Sequence, residues 1–208
     1  MFSKNNIKLR KLIIAKLTMY SSQKEIDILF EIYKDSRSVF RINDIALLIN
    51  SDDRLLYQKL NKLVKKGKLL NIRKGIYAKE DYKSEELACL LYTPTYISLG
   101  YVLQRAGVIF QFDSAITNIS YLNRVIYVNE QPIQYRQIKR EILLNTGGII
   151  NKNNTNIATP ERAFLDTLHL NGFFYFDNIK PLNANKIHKL LPIYNSASLM
   201  KKVEKILT

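Results

Sequence analysis

The sequence has few of the residues from which disulfides and metal sites are built. Its single cysteine, Cys89, excludes an internal disulfide and is typical of a reducing compartment. Apolar neighbours surround it in EELACLLY, so we expect a core residue rather than a nucleophile. The two histidines, His169 and His188, lie 19 residues apart without a cysteine pair or an HExxH spacing. No zinc site is therefore predicted, and no cofactor.

The sequence also lacks a recognisable catalytic constellation. NTGGII contains two glycines but no following Lys-Ser/Thr, so it is not a phosphate-binding loop. Glu161 and Asp166 are five positions apart and would lie on different parts of a helix. Glu161 follows Pro160, where a first-turn acid stabilises the helix dipole. We therefore expect no catalytic residues and a protein that is not an enzyme.

Long apolar runs are absent too. No stretch approaches the roughly 18 apolar residues that span a bilayer. The first 20 residues, MFSKNNIKLRKLIIAKLTMY, are interrupted by Lys and Arg and do not resemble a secretory signal. They predict a basic amphipathic helix that packs on the domain or lies along a phosphate backbone. We expect a cytoplasmic protein with no membrane partner.

Acidic residues are in short supply, with 18 Asp and Glu against 32 Lys and Arg, for a net charge of +14. The excess is uneven: residues 1–83 hold 19 basic and 9 acidic residues, whereas residues 84–208 hold 13 and 9. This asymmetry predicts a basic domain over 1–83 and a more neutral domain over 84–208. Nucleic acid is the usual partner of a basic domain. The alternative is that Lys-rich, Asn-rich and Ile-rich usage reflects an AT-biased genome.

Periodicity in the basic domain predicts a winged helix-turn-helix. Apolar residues recur at helical spacing over 24–35, a second helix is predicted to begin with Asn43 as N-cap, and a third is predicted over 52–66. Gly67 ends the third helix, and two strands of a hairpin follow. Helix, helix, tight turn, helix and hairpin is the order found in winged helix DNA-binding domains.

The second domain is predicted to be α+β, with helices and strands segregated along the chain. We expect the Asn-rich stretch INKNNTNIAT to form a loop. The predicted helices and strands follow. Helices cover 84–92, 93–107, 159–170 and 183–207, and strands cover 124–129, 132–138 and 147–150.

The third helix of the basic domain has two chemically distinct faces. At about 100° per residue, Leu56, Leu60, Leu63 and Val64 fall on one apolar side. The opposite side carries side chains that can bind base edges in the major groove, because Arg and Lys donate to guanine while Asn and Gln pair with adenine. The alternative is an ordinary polar surface. The candidate base readers are Arg54, Gln58, Asn61 and Lys65, with Tyr57 beside them.

The hairpin after this helix is a candidate wing. Leu70 and Ile72 alternate with Asn71 and Arg73, and Lys74-Gly75 supplies a turn. Basic side chains at such a tip can contact phosphates or enter a minor groove, although an ordinary solvated turn has the same composition. The candidate phosphate contacts are Lys62, Lys66, Arg73 and Lys74.

Several short motifs occur in an order that resembles the AbiEi family of antitoxins and transcriptional regulators, from abortive-infection and type IV toxin–antitoxin systems. The resemblance covers residues 24–170, with Gly100-Tyr101 in place of a common small pair and Arg162 in place of the usual lysine. The matching residues are Gly75 and Tyr77; Pro94, Tyr96, Ile97 and Ser98; Gly107 and Val108; and Ile157, Ala158, Pro160, Glu161, Ala163 and Asp166.

The resemblance implies a protein with two activities. Its winged helix would bind double-stranded DNA at inverted repeats in its own promoter and repress the operon. Its second domain would counteract a nucleotidyltransferase-like toxin, without a stable complex being required. A stand-alone winged helix regulator, a protein-interaction adaptor and an enzyme acting on nucleic acid are the alternatives that the residues leave open.

Overall fold

A computed structural model of the chain describes residues 25–50 and 55–207. The chain divides into two compact units, and the boundary between them in the sequence lies between Tyr82 and Lys83. Each unit has its own sheet and its own helices, so the α+β fold class predicted from the sequence is confirmed. The two units are described separately.

The first unit has the element order of a winged helix. Its helix α1 is described over residues 25–34, and its three strands form a sheet in the order β1-β3-β2. β3 pairs antiparallel with both neighbours, so the hairpin β2-β3 is extended by the short strand that follows α1. The remaining elements are β1 Val39–Arg41, α2 Ile42–Leu48, α3 Leu56–Lys65, β2 Leu70–Arg73 and β3 Ile76–Ala78.

Two details of this unit differ from the sequence-based expectation. Strand β1 was not predicted, because three residues are too few for a periodicity to appear. The prediction of Asn43 as N-cap is wrong, since α2 begins at Ile42 and the carboxylate of Asp44 accepts a hydrogen bond of 2.8 Å from the backbone N–H of Arg41. Gly67 does end α3, with φ of 67°, a left-handed conformation that glycine adopts without strain.

The core of the first unit is formed by the apolar faces of its helices, which pack together. Leu60 and Leu63 from α3 are buried together with side chains of α1, α2 and β3. Val64 is partly buried against the same cluster, so the apolar stripe predicted for the third helix is confirmed. The other buried members are Ile28, Ile32, Phe40, Ile45, Leu56, Leu69 and Tyr77.

The second unit is built on a six-stranded mixed sheet in the order β6-β7-β5-β4-β9-β8. β5 pairs parallel with β7 and β4 pairs parallel with β9, while the other neighbours are antiparallel. Its strands are β4 Thr95–Ile97, β5 Ile116–Ser120, β6 Arg124–Val128, β7 Gln131–Gln137, β8 Ile149–Lys152 and β9 Thr155–Ala158. Its helices are α4 Ser84–Leu91, α5 Gly100–Arg105, α6 Arg140–Leu144, α7 Pro160–Asn171, α8 Ala184–Leu190 and α9 Ala197–Leu207, with a 3-10 helix at Leu191–Tyr194.

Two predictions for this unit are wrong. The stretch 93–107 is not one helix, because its first half forms β4, which is buried in the middle of the sheet, and only Gly100–Arg105 is helical. The Asn-rich stretch is not a loop but the hairpin β8-β9 at a sheet edge. Asn153 and Asn154 form its turn with φ of 52° and 59°, values that Asn tolerates better than most residues.

A buried ion pair lies at the centre of the second unit. Arg162 and Asp166 are both fully buried on α7, and the Arg162 Nε lies 3.4 Å from the Asp166 Oδ1. The other guanidinium nitrogens donate to the carbonyls of Gly147 and Ile142, each at 2.8 Å. These bonds join α7 to the segment before β8 and to α6.

Three hydroxyl groups donate hydrogen bonds to the carboxylate of this pair. Ser98 and Tyr194 donate to the two oxygens of Asp166 at 2.7 and 2.6 Å, and Tyr96 donates to the same carboxylate at 3.3 Å. Burial raises the pKa of Asp166, while the Arg162 cation and these hydroxyls oppose the rise. A buried charge is tolerable only when its partners are in place, so the pair requires β4, α7 and the 3-10 helix to assemble together.

Within the described ranges 25–50 and 55–207, no helix has both the length and the apolar character that crossing a membrane demands.

Replacing Asp166 by Ala should lower the free energy of unfolding of the second unit by about 3–5 kcal/mol, because the Arg162 guanidinium would stay buried without its counter-charge. Urea denaturation followed by tyrosine fluorescence measures this loss. Glu141→Ala, which removes an exposed carboxylate of the same unit, is the control and should change stability by no more than about 0.5 kcal/mol. Equal effects of the two substitutions would contradict the central role of the pair.

Candidate nucleic-acid interface

Helix α3 presents a polar face opposite its buried stripe. Gln58 and Lys65 are exposed on it, and Asn61 is partly exposed. Because Leu56, Leu60 and Leu63 are buried on the other side, the rotation of the helix about its axis is determined by packing. The structure thus brings three of the four predicted base readers together. The fourth, Arg54, lies outside the described residues.

Tyr57 lies at the edge of this face and is 47% exposed. Tyr77 is the aromatic residue of strand β3 in the wing. Burial raises the pKa of Tyr77, and the proximity of Tyr57 raises it further. The Tyr77 hydroxyl itself is buried and has no hydrogen-bond partner among the described residues. Tyr57 is thus the exposed tyrosine of the helix face, whereas Tyr77 belongs to the core.

The lysines at the end of α3 have different environments. Lys62 and Lys65 are exposed in its last turn. Lys66 forms a salt bridge with Glu25 of α1, whose side chain is almost fully buried. A carboxylate partner competes with phosphate for the same ammonium group. Lys62 is therefore better placed than Lys66 to give its full charge to an anionic ligand.

The wing is a tight hairpin stabilised by its own side chain. Gly75 has φ of 75° in the turn, a conformation that glycine adopts without steric cost. The Asn71 side-chain amide donates to the carbonyls of Arg73 and Ile76, at 3.2 and 3.3 Å, and so bridges the two strands behind the turn. Arg73 and Lys74 are exposed at the tip.

Strand β1 brings a third basic residue to the wing that the sequence did not reveal. Arg41 pairs in register with Ile76 of β3, and Ile76 pairs with Arg73 of β2. Ile76 therefore lies between Arg41 and Arg73 in the sheet, and the register of β2 shifts between Asn71 and Arg73. The backbone N–H of Ile42 also donates to the carbonyl of Gly75 at 2.9 Å. The sequence-based prediction missed Arg41 as a residue of the wing because it did not include strand β1.

One lysine close to the wing is structural. The Lys79 Nζ donates to the carbonyl of Asp35 at 2.7 Å and lies over the rings of Tyr33 and Phe40, 5.6 and 5.9 Å from their centroids. Its side chain is mostly buried. Its charge is satisfied inside the unit, so only part of the basic excess of this unit is available to a ligand.

The residues considered for other chemistry take structural positions. The Cys89 thiol is partly buried and donates to the carbonyl of Asn156, and burial raises its pKa to about 11. The His169 ring packs on Tyr194 at 5.4 Å between centroids. Glu161 is buried in the first turn of α7. In the part of the chain that the structure describes, no group of three or more His, Cys, Asp or Glu side chains is placed to hold a metal ion.

Comparison with known proteins gives information about the fold. No protein-family model matches the chain, and no curated protein sequence matches it. Among solved structures, the chain is similar to the RV2827C protein from Mycobacterium tuberculosis, with a TM-score of 0.54 and 12% sequence identity. The match covers 86% of this chain and 74% of that chain, so it includes residues of both compact units. At this identity the similarity concerns the fold alone.

Replacing Asn71 by Ala should loosen the wing, because the backbone carbonyls of Arg73 and Ile76 lose their shared donor. Hydrogen exchange of the amides between 70 and 78 should become faster, with a loss of about 0.5–1.5 kcal/mol in local stability. Lys74→Ala removes an exposed side chain from the same turn and serves as the matched control. Unchanged exchange in Asn71→Ala would show that the amide does not rigidify the hairpin.

Proposed function

We propose that this chain is a DNA-binding antitoxin that represses its own operon through the winged helix of its first unit, acts in the cytoplasm and has no enzymatic activity. One observation carries the DNA-binding part of the proposal. Gln58, Asn61 and Lys65 lie on the solvent face of α3, beside a wing tipped by Arg73 and Lys74. A helix that follows a turn and carries such side chains fits a major groove.

The two groups of residues have different roles in this proposal. Gln58 and Asn61 would pair with adenine edges, and Lys65 would donate to guanine. Lys62, Arg73 and Lys74 would neutralise phosphates and so orient the helix without reading sequence. Lys66 would contribute less, because Glu25 already holds its ammonium group. Tyr57 would pack on the backbone at the edge of the groove.

Base reading is tested by Gln58→Ala, which should weaken binding to the operator by about 1–3 kcal/mol and relax preference at one base pair. Fluorescence anisotropy on DNA from the protein's own promoter, with each base pair varied in turn, measures both effects. Lys189→Ala, which removes a lysine of α8 in the second unit, is the control. Unaltered affinity and unaltered base preference in Gln58→Ala would exclude α3 as the reading helix.

Phosphate neutralisation is tested by the salt dependence of the same binding. Lys62→Ala should weaken binding to all sequences alike and reduce the slope of log K against log salt by roughly one unit. Lys66→Ala should reduce that slope less, since its charge is already paired with Glu25. Equal slopes for the two variants would show that the ion pair opens on DNA.

The antitoxin part of the proposal is supported by the resemblance to AbiEi proteins. Tyr96, Ser98 and Asp166 belong to motifs far apart in the sequence, and their side chains meet in one buried network. Arg162 stands at the lysine position of the pattern and supplies the cation of that network. These contacts explain why residues of separate motifs would occur together in one chain. A chance similarity of short motifs would not be expected to bring their side chains into one network.

The proposal expects a neighbouring gene for a nucleotidyltransferase-like protein, and coexpression with that protein tests the antitoxin activity. The full-length chain should restore the growth of cells that express the toxin, and the variant Gln58→Ala should restore it equally well, because base reading is not needed for neutralisation. Failure of the wild-type chain to restore growth would favour the second candidate, a stand-alone winged helix regulator. A stable protein partner without salt-dependent DNA binding would instead favour an interaction adaptor.

A further inference from the structure

The sheet of the second unit ends in two edge strands of different character, β6 and β8. Strand β8 carries Asn151 and Lys152 beside its turn, and a lysine on an edge strand disfavours pairing with another chain. In β6, Arg124 at the first position is the one charged residue, and the residues from Val125 to Val128 are all β-branched or aromatic. These residue types are the most favourable in strands. The sequence of β6 therefore favours a further strand pairing, whereas that of β8 does not.

The backbone of β6 is regular and forms the end of the sheet. Of the strands that the structure describes, only β7 pairs with β6, over five successive residues whose register does not shift. In an antiparallel edge strand, the N–H and C=O groups of alternate residues point away from the neighbouring strand. A strand from another chain can accept and donate hydrogen bonds at these groups and so extend the sheet.

The side chains of β6 alternate between a buried and an exposed face. Ile126 is buried, and on the same face the Arg124 guanidinium lies over the ring of Tyr92, 5.8 Å from its centroid. Val125 and Tyr127 point to the opposite face and are 52% and 73% exposed. A strand that pairs with β6 can therefore cover apolar side chains that the fold of one chain leaves in water.

The sequence of β6 is self-complementary about Ile126. When two copies of β6 pair antiparallel with the two Ile126 residues opposite each other, Val125 of each copy lies opposite Tyr127 of the other. A β-branched residue opposite an aromatic one is a favourable cross-strand pair. Arg124 then lies opposite Val128, so that all five residues of the strand are paired. This arrangement has a two-fold axis, which is the symmetry of most protein dimers.

The charges along the strand suit this arrangement. Between residues 121 and 131 the charged residues are Arg124 and Glu130. In the symmetric pair the two Arg124 residues are four positions apart along the strands, roughly 13 Å, which exceeds the screening length of about 8 Å at physiological salt. Glu130 follows Val128 by two residues, so each Arg124 approaches the Glu130 of the other copy. Like charges are thus separated and unlike charges brought together.

The surroundings of the two strand ends carry opposite charge as well. β7 continues past the pairing partner of Arg124 into a basic stretch, which contains Arg136, Lys139 and Arg140 with one acid, Glu141. At the other end, Gln131 lines a cavity of about 520 Å³ with two carboxylates and one guanidinium, those of Glu85, Asp113 and Arg105. The two-fold axis directs the basic end of each copy toward the acidic end of the other. A uniformly acidic or uniformly basic partner would meet like charge at one end, whereas a second copy presents the two ends in reverse order.

We propose that two copies of the chain associate through β6, which pairs antiparallel with β6 of the other copy about a two-fold axis at Ile126. The association joins the two six-stranded sheets into one continuous sheet. Five residue pairs make a short interface, so the dimer belongs to the transient class with less than about 1,200 Å² of buried surface. The proposal goes beyond the proposed DNA-binding function and does not depend on it.

Association is tested by sedimentation velocity of the full chain without DNA, from about 1 to about 200 µM, the range that a small transient interface requires. The mass should rise with concentration from the monomer value of 24.2 kDa toward twice that value. The double variant Val125→Lys with Tyr127→Lys should weaken association by at least about tenfold, because it places lysine opposite lysine across the two-fold axis. Its circular dichroism should be unchanged, since both side chains are exposed in one chain.

Ile150→Lys is the matched control, because Ile150 lies on β8 at the other edge of the same sheet and is 53% exposed, as Val125 is to 52%. This variant should associate as the wild type does. If the double variant fails to fold, Tyr127→Lys alone addresses the same strand pair and keeps Val125.

The register is tested by disulfide cross-linking in a Cys89→Ser background. Opposite residues of antiparallel strands have their Cα atoms about 4.5–5.5 Å apart, within the range that a disulfide bridges. A mixture of the Val125→Cys and Tyr127→Cys chains should therefore give a mixed cross-linked dimer under mild oxidation, identified by its intact mass. Either chain alone should give several-fold less, because identical residues are two positions out of register.

Three results would overturn the proposal. A chain that stays monomeric over the whole concentration range does not pair through β6. A dimer that the lysine variants of β6 leave intact, or that Ile150→Lys weakens as strongly, uses another surface. Cross-linking of either cysteine chain to itself as efficiently as in the mixture excludes the register about Ile126. All of these measurements are made without DNA, so their failure is distinct from failure of the proposed DNA-binding function.

Discussion

The proposed DNA-reading face of α3 depends on one constraint, the rotation of this helix about its own axis. Leu56, Leu60 and Leu63 are buried on one side of the helix, and turning the helix would move these side chains into water at a cost of about 1.5–3 kcal/mol each. Gln58, Asn61 and Lys65 therefore face solvent as a group. The same packing joins the helix to α1, α2 and β3 through one shared core, so the wing and the helix keep a defined geometry within the unit.

The second unit depends on a different kind of interaction. Its central pair, Arg162 and Asp166, is costly to bury and does little by itself for stability. The pair instead needs hydrogen-bonding partners from several elements. Its hydrogen bonds reach the end of β4, the 3-10 helix and the carbonyls before β8. Few alternative arrangements of these elements would give the Asp166 carboxylate its hydroxyl donors and the two terminal guanidinium nitrogens their carbonyl acceptors. A buried network of this kind specifies one arrangement of helices and sheet, which we regard as the structural reason for the motif residues.

The basic excess of the first unit divides into structural and available charge. Lys79 is held inside the unit by a backbone carbonyl and two aromatic rings, and Lys66 is paired with Glu25. Lys62, Lys65, Arg73 and Lys74 are exposed on α3 and on the wing, and Arg41 reaches the wing through β1. Net charge from composition therefore overstates what a phosphate backbone would meet.

The sequence by itself determined the α+β class, the apolar stripe of α3, the end of that helix at Gly67 and the polar residues opposite the stripe. These features are local, since helical periodicity and the conformational freedom of glycine act within one or two turns. Only the tertiary structure decided what depends on distant partners. Strands β1, β4, β5 and β9 exist because neighbouring strands pair with them, and the Asn-rich stretch extends because β8 and β9 pair with each other. The same holds for side chains, since pairing with Glu25 restrains Lys66 and burial with Asp166 makes Arg162 structural. No short-range pattern carries that information, because each contact joins residues brought together by folding.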